Sequence, residues 1–224
     1  MDKAVKTFFA DKDKVNIDKG LALRFLRVRK QVDDDCMALI NDALEEFENA
    51  VSYKASYRYF DINVEGNKVY FEDYMTLESE KLAKNLSGCR GAFVLVATTS
   101  ISVDRIIAKY MNLQVSRAVI LDAIGSASIE AFCDLLCKTI QDENGVNFRP
   151  RFSPGYGDLN LSCQGLVLGA CDASRKIGVT LASNNMMIPK KTVSAIAGVR
   201  PKDEVCEKAS RCELCDNENC LYRE

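Results

Sequence analysis

Arg151, Ser153, Gly155 and Tyr156 fall within one stretch, Phe148 to Leu161, that also holds two of the four prolines and two of the twelve glycines in the chain. Proline fixes φ and glycine permits positive φ, so this punctuation predicts a turn of defined shape. Arg151 can grip an anion with a planar fork of donors, and Tyr156 can stack and donate a hydrogen bond. Around Gly155 and Gly157 the backbone can approach a ligand closely, because no Cβ intervenes. A tight surface turn leading into a helix and a ligand-contacting loop are both open on this chemistry.

Glu130 is the second candidate. It stands in the middle of an apolar run, Ala118 to Lys138, whose rhythm predicts a long, largely buried helix rich in small residues (Gly125, Ser126, Ala127, Ser128). A carboxylate is expensive to bury unless it is paired. A salt bridge to a core arginine satisfies it, and so does a cationic ligand.

Four cysteines close the chain: Cys206, Cys212, Cys215 and Cys220, spaced C-x5-C-x2-C-x4-C in an acidic tail. A C-x2-C knuckle presents two thiolates to one metal, and two more thiols complete a tetrahedral S4 site. Zn²⁺ or a [4Fe–4S] cluster would both fit, and a tail of reduced thiols is the plain alternative. The other six cysteines (Cys36, Cys89, Cys133, Cys137, Cys163, Cys171) sit in apolar surroundings and read as small core residues.

The elements that must position these groups are partly legible. Val5, Phe8 and Phe9 mark a short first element, and Leu21 to Lys30 interleaves apolar residues with Arg24, Arg27, Arg29 and Lys30 as a half-buried basic edge. Asp33-Asp34-Asp35 opens an amphipathic helix reaching Val51, its acids opposing the helix dipole. Tyr53 to Phe60 alternates as a strand and continues into a hairpin turning at Gly66-Asn67. Leu77 to Leu86 reads as a helix. Ala92 to Thr98 reads as a central buried strand, after which Thr99 and Ser100 are placed to cap a helix over Val103 to Met111. A helix is expected over Cys163 to Ala173, a strand over Ile177 to Leu181, and a proline turn feeding a buried strand over Met186 to Val199.

Three blocks carry a family resemblance. Arg151-x-x-x-Gly155-Tyr156 resembles the signature of the S-adenosylmethionine-binding activation domain of cobalamin-dependent methionine synthase, and Ser153 to Asp158 resembles the free-standing bacterial versions. Ile129-Glu130-Ala131-Phe132 resembles the family's Glu-Ala-Phe element, and Met187-x-Pro189 with Val193-Ser194 its Met-x-Pro…Val-Ser segment. Ala195, Ile196 and Ala197 stand where the fused enzymes carry a ligand-contacting Tyr, and the fused domains' early Asp-Trp element has no counterpart here. The resemblance spans roughly Ala92 to Val199. It implies an α+β fold with a bent, mainly antiparallel sheet and flanking helices over residues 1–200, followed by the cysteine-rich tail, 201–224. It also implies a site: Arg151 on the carboxylate of S-adenosylmethionine, Glu130 balancing its positive charge, and Tyr156 with the backbone of Ser153 and Gly155 positioning the methyl group. The implied partner is a cobalamin-binding methionine synthase lacking its own activation domain, with cobalamin carried by that partner and a flavodoxin-like or ferredoxin-like reductant. A metal-clasped adaptor, or an iron–sulfur electron-transfer subunit of a corrinoid protein, is the alternative.

Composition narrows the classes further. The chain has 224 residues, 47% of them hydrophobic, with a formal net charge of −2. That predicts a globular fold and gives no electrostatic case for nucleic-acid binding. No apolar run matches a membrane span and no signal-peptide core opens the chain, so a cytosolic protein with reduced thiols is expected. The absence of histidine excludes His-based acid–base chemistry, Ser–His or Cys–His nucleophiles and His-ligated metals.

Overall fold

The structure is a computed structural model that describes residues 1–28 and 34–201. Arg29, Lys30, Asp33 and the tail cysteines Cys206, Cys212, Cys215 and Cys220 lie outside the described residues.

The chain runs β1 (Lys6–Ala10), α1 (Lys19–Phe25), α2 (Asp34–Ala50), β2 (Tyr53–Glu65), β3 (Lys68–Phe71), β4 (Met75–Glu78), α3 (Glu80–Asn85) and β5 (Gly91–Thr98). It continues through α4 (Ile101–Leu113), α5 (Val115–Asn144), β6 (Val146–Phe148), α6 (Gln164–Ala170), α7 (Ala173–Ile177), β7 (Thr180–Leu181), β8 (Met187–Ile188) and β9 (Thr192–Pro201). The main sheet has the order β4-β3-β2-β5-β9-β6, with β1 also paired to β2, and every pairing in it is antiparallel. β7 and β8 form a separate small hairpin.

β5 is buried along its whole length because both faces of the sheet are covered. Its side chains alternate: Ala92, Val94 and Val96 enter one core with α3, α6 and α7, and Phe93, Leu95 and Ala97 enter the other with the second half of α5. In that second core Phe132, Leu136 and Ile140 of α5 pack on Ala195 and Ala197 of β9. The first half of α5 (Ile120, Leu121, Ile124, Ala127) belongs to a third core, with α1, α2 and α4. One helix of 30 residues, roughly 45 Å long, therefore joins two cores.

Several local expectations need correction. Leu77 lies in β4, not in a helix: it sits opposite Val69 of β3, and Met75 and Leu77 are buried while Thr76 and Glu78 are exposed. Sheet pairing fixes that period-2 pattern, and the helix starts only after Ser79, whose Oγ accepts from the Leu82 N–H. The expected helix over Cys163 to Ala173 divides into α6 and α7, because Asp172 adopts a left-handed conformation between them. Ile177 ends α7 rather than starting a strand, and only Thr180 and Leu181 pair with β8. Ser100 occupies the N-cap position of α4, but its side chain makes no capping hydrogen bond; its backbone N–H instead donates to Thr98 Oγ1 at 3.2 Å.

Candidate functional site

α5 presents Glu130, Asp134 and Cys137 at i, i+4 and i+7, which lines them along one helix face. The partner they meet comes from the sheet edge. After β6 the chain stays alongside β9: Arg149 N–H donates to the Gly198 carbonyl at 2.8 Å, and Phe152 exchanges backbone hydrogen bonds with Ile196. Pro150 lies between these points, at an edge where a missing N–H is tolerated. Strand alternation then sends consecutive side chains to opposite faces. Arg151 turns toward α5, and Phe152 enters the core beneath α3, α6 and α7.

Arg151 is clamped. One terminal nitrogen of its guanidinium donates to Glu130 Oε2 at 3.0 Å. The other donates to Asp134 Oδ1 at 2.6 Å and to Cys137 Sγ at 3.6 Å. Its side chain is only 11% exposed, against 26% for Glu130 and 64% for Asp134. Burial works against the arginine's charge, yet Cys133 and Cys137, followed by Asp134 and Glu130, outweigh it and raise its pKa above the ordinary arginine value. The buried Cys133 thiol below is pushed well above the usual range by desolvation, so it is protonated at neutral pH and is no nucleophile. The hydrogen bonds to Glu130 and Asp134 hold the guanidinium in place.

Glu130 and Asp134 also line a cleft of about 490 Å³, within the roughly 300–1,000 Å³ usual for small-molecule sites. α5 forms one wall with Ala127, Glu130, Ala131, Asp134 and Leu135, all on one helix face. The other wall is the N-terminal segment, contributing Lys14, Asn16, Asp18, Leu21 and Arg24. Asp18 caps α1 by accepting from the Gly20 N–H at 2.7 Å, and Lys19 Nζ donates to Asn41 Oδ1 of α2 at 3.1 Å, which fixes where that wall stands.

Ser153, Gly155 and Tyr156 lie further along, where the chain turns over the sheet edge toward α3. Tyr156 N–H donates to the Ser153 carbonyl at 3.0 Å, and Gly155, at φ +90°, donates to the Leu159 carbonyl at 2.8 Å. The loop is anchored by Asp158. Its carboxylate accepts from the Ser79 hydroxyl and from the N–H groups of Glu80 (2.7 Å) and Lys81 (3.3 Å), capping α3 from a distant part of the chain. Those bonds, Ser79's first, hold the Asp158 carboxyl below its ordinary value. Tyr156 is 55% exposed, and its ring meets Phe152 edge-on with centroids 6.2 Å apart.

The structure thus joins Glu130 to Arg151 on the α5 face and places Tyr156 against Phe152, whose ring belongs to the opposite core. Sequence reasoning missed Asp134 and the N-terminal wall. Asp134 carried a usable signal, its i+4 spacing from Glu130; Lys14 and Arg24 carried none, being over a hundred residues away. Among the described residues no group of three or more His, Cys, Asp or Glu is placed to hold a metal, and no helix is long and apolar enough to cross a membrane.

No protein-family model matches this sequence, and no curated protein matches it. The structure, in contrast, is similar to the crystal structure of the MetH reactivation domain bound to AdoHcy, with a TM-score of 0.68 over 91% of this chain and 81% of that one. The chain has the MetH reactivation domain fold. Sequence identity over the match is 12%, so the likeness is one of architecture: mixed helix and sheet, mainly antiparallel, with flanking helices, as the motif resemblance predicts.

Proposed function

We propose that this protein presents S-adenosylmethionine, in trans, to a corrinoid carried by a separate methionine synthase. One electron from a flavodoxin-like or ferredoxin-like reductant, together with the methyl group of the sulfonium, converts the partner's cob(II)alamin to methylcobalamin and releases S-adenosylhomocysteine. The hard chemistry belongs to the corrinoid and the sulfonium; this chain supplies binding and orientation.

The observation that carries the reading is the cleft beside Glu130 and Asp134, in a fold otherwise seen in a reactivation domain bound to AdoHcy. Two carboxylates facing a cleft against one guanidinium leave that wall net negative, which suits the ammonium and sulfonium of the ligand. Arg151 holds both carboxylates in place. Tyr156, Ser153 and Gly155, the other residues implied by the motif resemblance, lie outside the lining of this cleft, on the turn beside the opposite core. The cysteines Cys206, Cys212, Cys215 and Cys220 bind Zn²⁺ as a clasp or a [4Fe–4S] cluster as an electron relay.

Calorimetric titration of the purified chain with S-adenosylmethionine tests this, alongside Glu130→Ala and Arg151→Ala. Binding that both substitutions weaken supports the assignment. No binding by the intact chain, with the corrinoid protein absent or present, sinks it and leaves the adaptor or electron-transfer reading built on the cysteine tail.

A further inference from the structure

We infer that the free edge of β1 docks an extended, acidic segment of a partner protein, which joins the main sheet as a further strand. The side chains that would meet it lie on the face of the sheet away from α5, so the inference does not depend on what the cleft binds.

β1 pairs with β2 alone, from Lys6 opposite Tyr57 to Ala10 opposite Tyr53. In an antiparallel strand every second residue turns its N–H and C=O away from the partner strand. Among the described residues no other backbone group bonds to Lys6–Ala10. The strand holds no proline, its register with β2 is unbroken, and its one charge is Lys6. Such an edge is a template for another strand.

Phe8 and Ala10 face the core shared with α5. Thr7 and Phe9 therefore face the other side, where Phe9 is 60% exposed. Their ladder partners Ser56 and Lys54 share that side, and Arg58 continues it along β2. Arg58 is held flat: Nε donates to the Lys3 carbonyl at 3.0 Å, and the guanidinium lies over the rings of Phe60 and Tyr74, 4.7 and 5.5 Å from their centroids. Within the described residues neither Lys54 nor Arg58 has a carboxylate partner. The acids of this region are matched elsewhere: Asp61 and Glu72 by Lys3, and Asp172 by Arg175.

These features specify the occupant. The open backbone requires an extended chain, Phe9 an apolar residue on one side of it, and Lys54 and Arg58 acids on that same side. A second copy of this chain fits poorly, because its β1 brings no acid to Lys54 and Arg58. Five residues a side also fall far short of the roughly 20–30 of a stable interface.

The probe is an N-acetylated heptapeptide of alternating Glu and Val, compared with a Lys/Val counterpart. Two further Glu/Val versions are N-methylated, one at every Val and one at every Glu. Each is titrated into the full chain and into Lys54→Glu/Arg58→Glu, with amide exchange over β1 read by NMR. The Glu/Val peptide should bind about tenfold more tightly than Lys/Val and should slow exchange at alternate residues of Lys6–Ala10. One N-methylated version should lose binding and the other keep it, because only one edge of the peptide faces β1. The double variant should prefer Lys/Val, a gain that misfolding cannot produce. Equal behaviour of the two N-methylated peptides, an unchanged preference in the double variant, or β1 amides that are all protected before peptide is added overturns the inference. The last result would mean that another segment or a second copy already occupies the edge.

Discussion

Arg151 and Glu130 meet across the junction of the sheet edge and α5, guanidinium nitrogen to carboxylate oxygen, at 3.0 Å. Asp134 takes the other side of the same guanidinium at 2.6 Å, so a residue of the edge segment is locked to two successive turns of the long helix. That lock has consequences for stability as well as for binding.

Arg151→Ala should destabilise the fold by about 1–3 kcal/mol, because it strands Glu130 and Asp134 side by side without their cation. Glu130→Gln should cost less, since Asp134 still pairs with the arginine. Chemical denaturation of both variants checks the order; equal stability of wild type and Arg151→Ala would show that the clamp contributes nothing.

Asp158 sets a pH dependence. Its folded-state pKa is lowered by the Ser79 hydroxyl and by the N–H groups of Glu80 and Lys81. Its contribution is therefore fully present above the unfolded carboxylate value, about 3.9, and is lost as pH falls through the lower folded value. Thermal melts of wild type and Asp158→Asn should differ at pH 7 and converge once pH has fallen below the lowered folded-state value. A gap that persists at low pH would mean that the charge is irrelevant to the cap.

Gly157→Ala should lower stability by about 1–2 kcal/mol. The residue sits at φ +54°, and an added Cβ would lie 2.5 Å from Lys81 Cδ. The lysine side chain can move aside, so the backbone strain dominates, and the melting temperature reports it. An unchanged melting temperature would contradict the left-handed turn.

Leu136→Ala removes a fully buried side chain from the core between α5 and the sheet, and should cost about 2–5 kcal/mol. The same denaturation assay, run beside Leu166→Ala on an exposed surface, separates core loss from a general effect.

An anaerobic preparation of the full chain should carry stoichiometric zinc or be brown with iron and sulfide, and Cys212→Ser/Cys215→Ser should lose the metal. Elemental analysis finding neither metal would remove the tail from the functional proposal.

Much of this architecture was written in local pattern. Ala92 to Thr98 could be read as a central strand because a strand covered on both faces is apolar throughout. The middle of α5 was visible for a similar reason, but its ends were not: Val115 and Asn144 bound a helix whose terminal turns carry weak apolar rhythm. Leu77 misled because its partner, Val69, lies in another strand, and a cross-strand contact leaves no trace in a local window. Glu130 and Arg151 were both legible as candidates, and a salt bridge to an unspecified core arginine was one of the two open readings of Glu130; that the partner is Arg151 emerges only in the fold. The cleft was not legible, because its second wall comes from the start of the chain and meets α5 only in the fold.

The two walls also differ in what holds them. Glu130 sits on a helix whose two halves are committed to separate cores, so freeing the amides around it means giving up both. Hydrogen exchange there should proceed only through global unfolding. α1 is a seven-residue helix with Ala22 alone fully buried, and its amides should exchange through a far cheaper local opening. On the proposed function, exchange protection gained on binding should therefore be concentrated between Lys14 and Arg24.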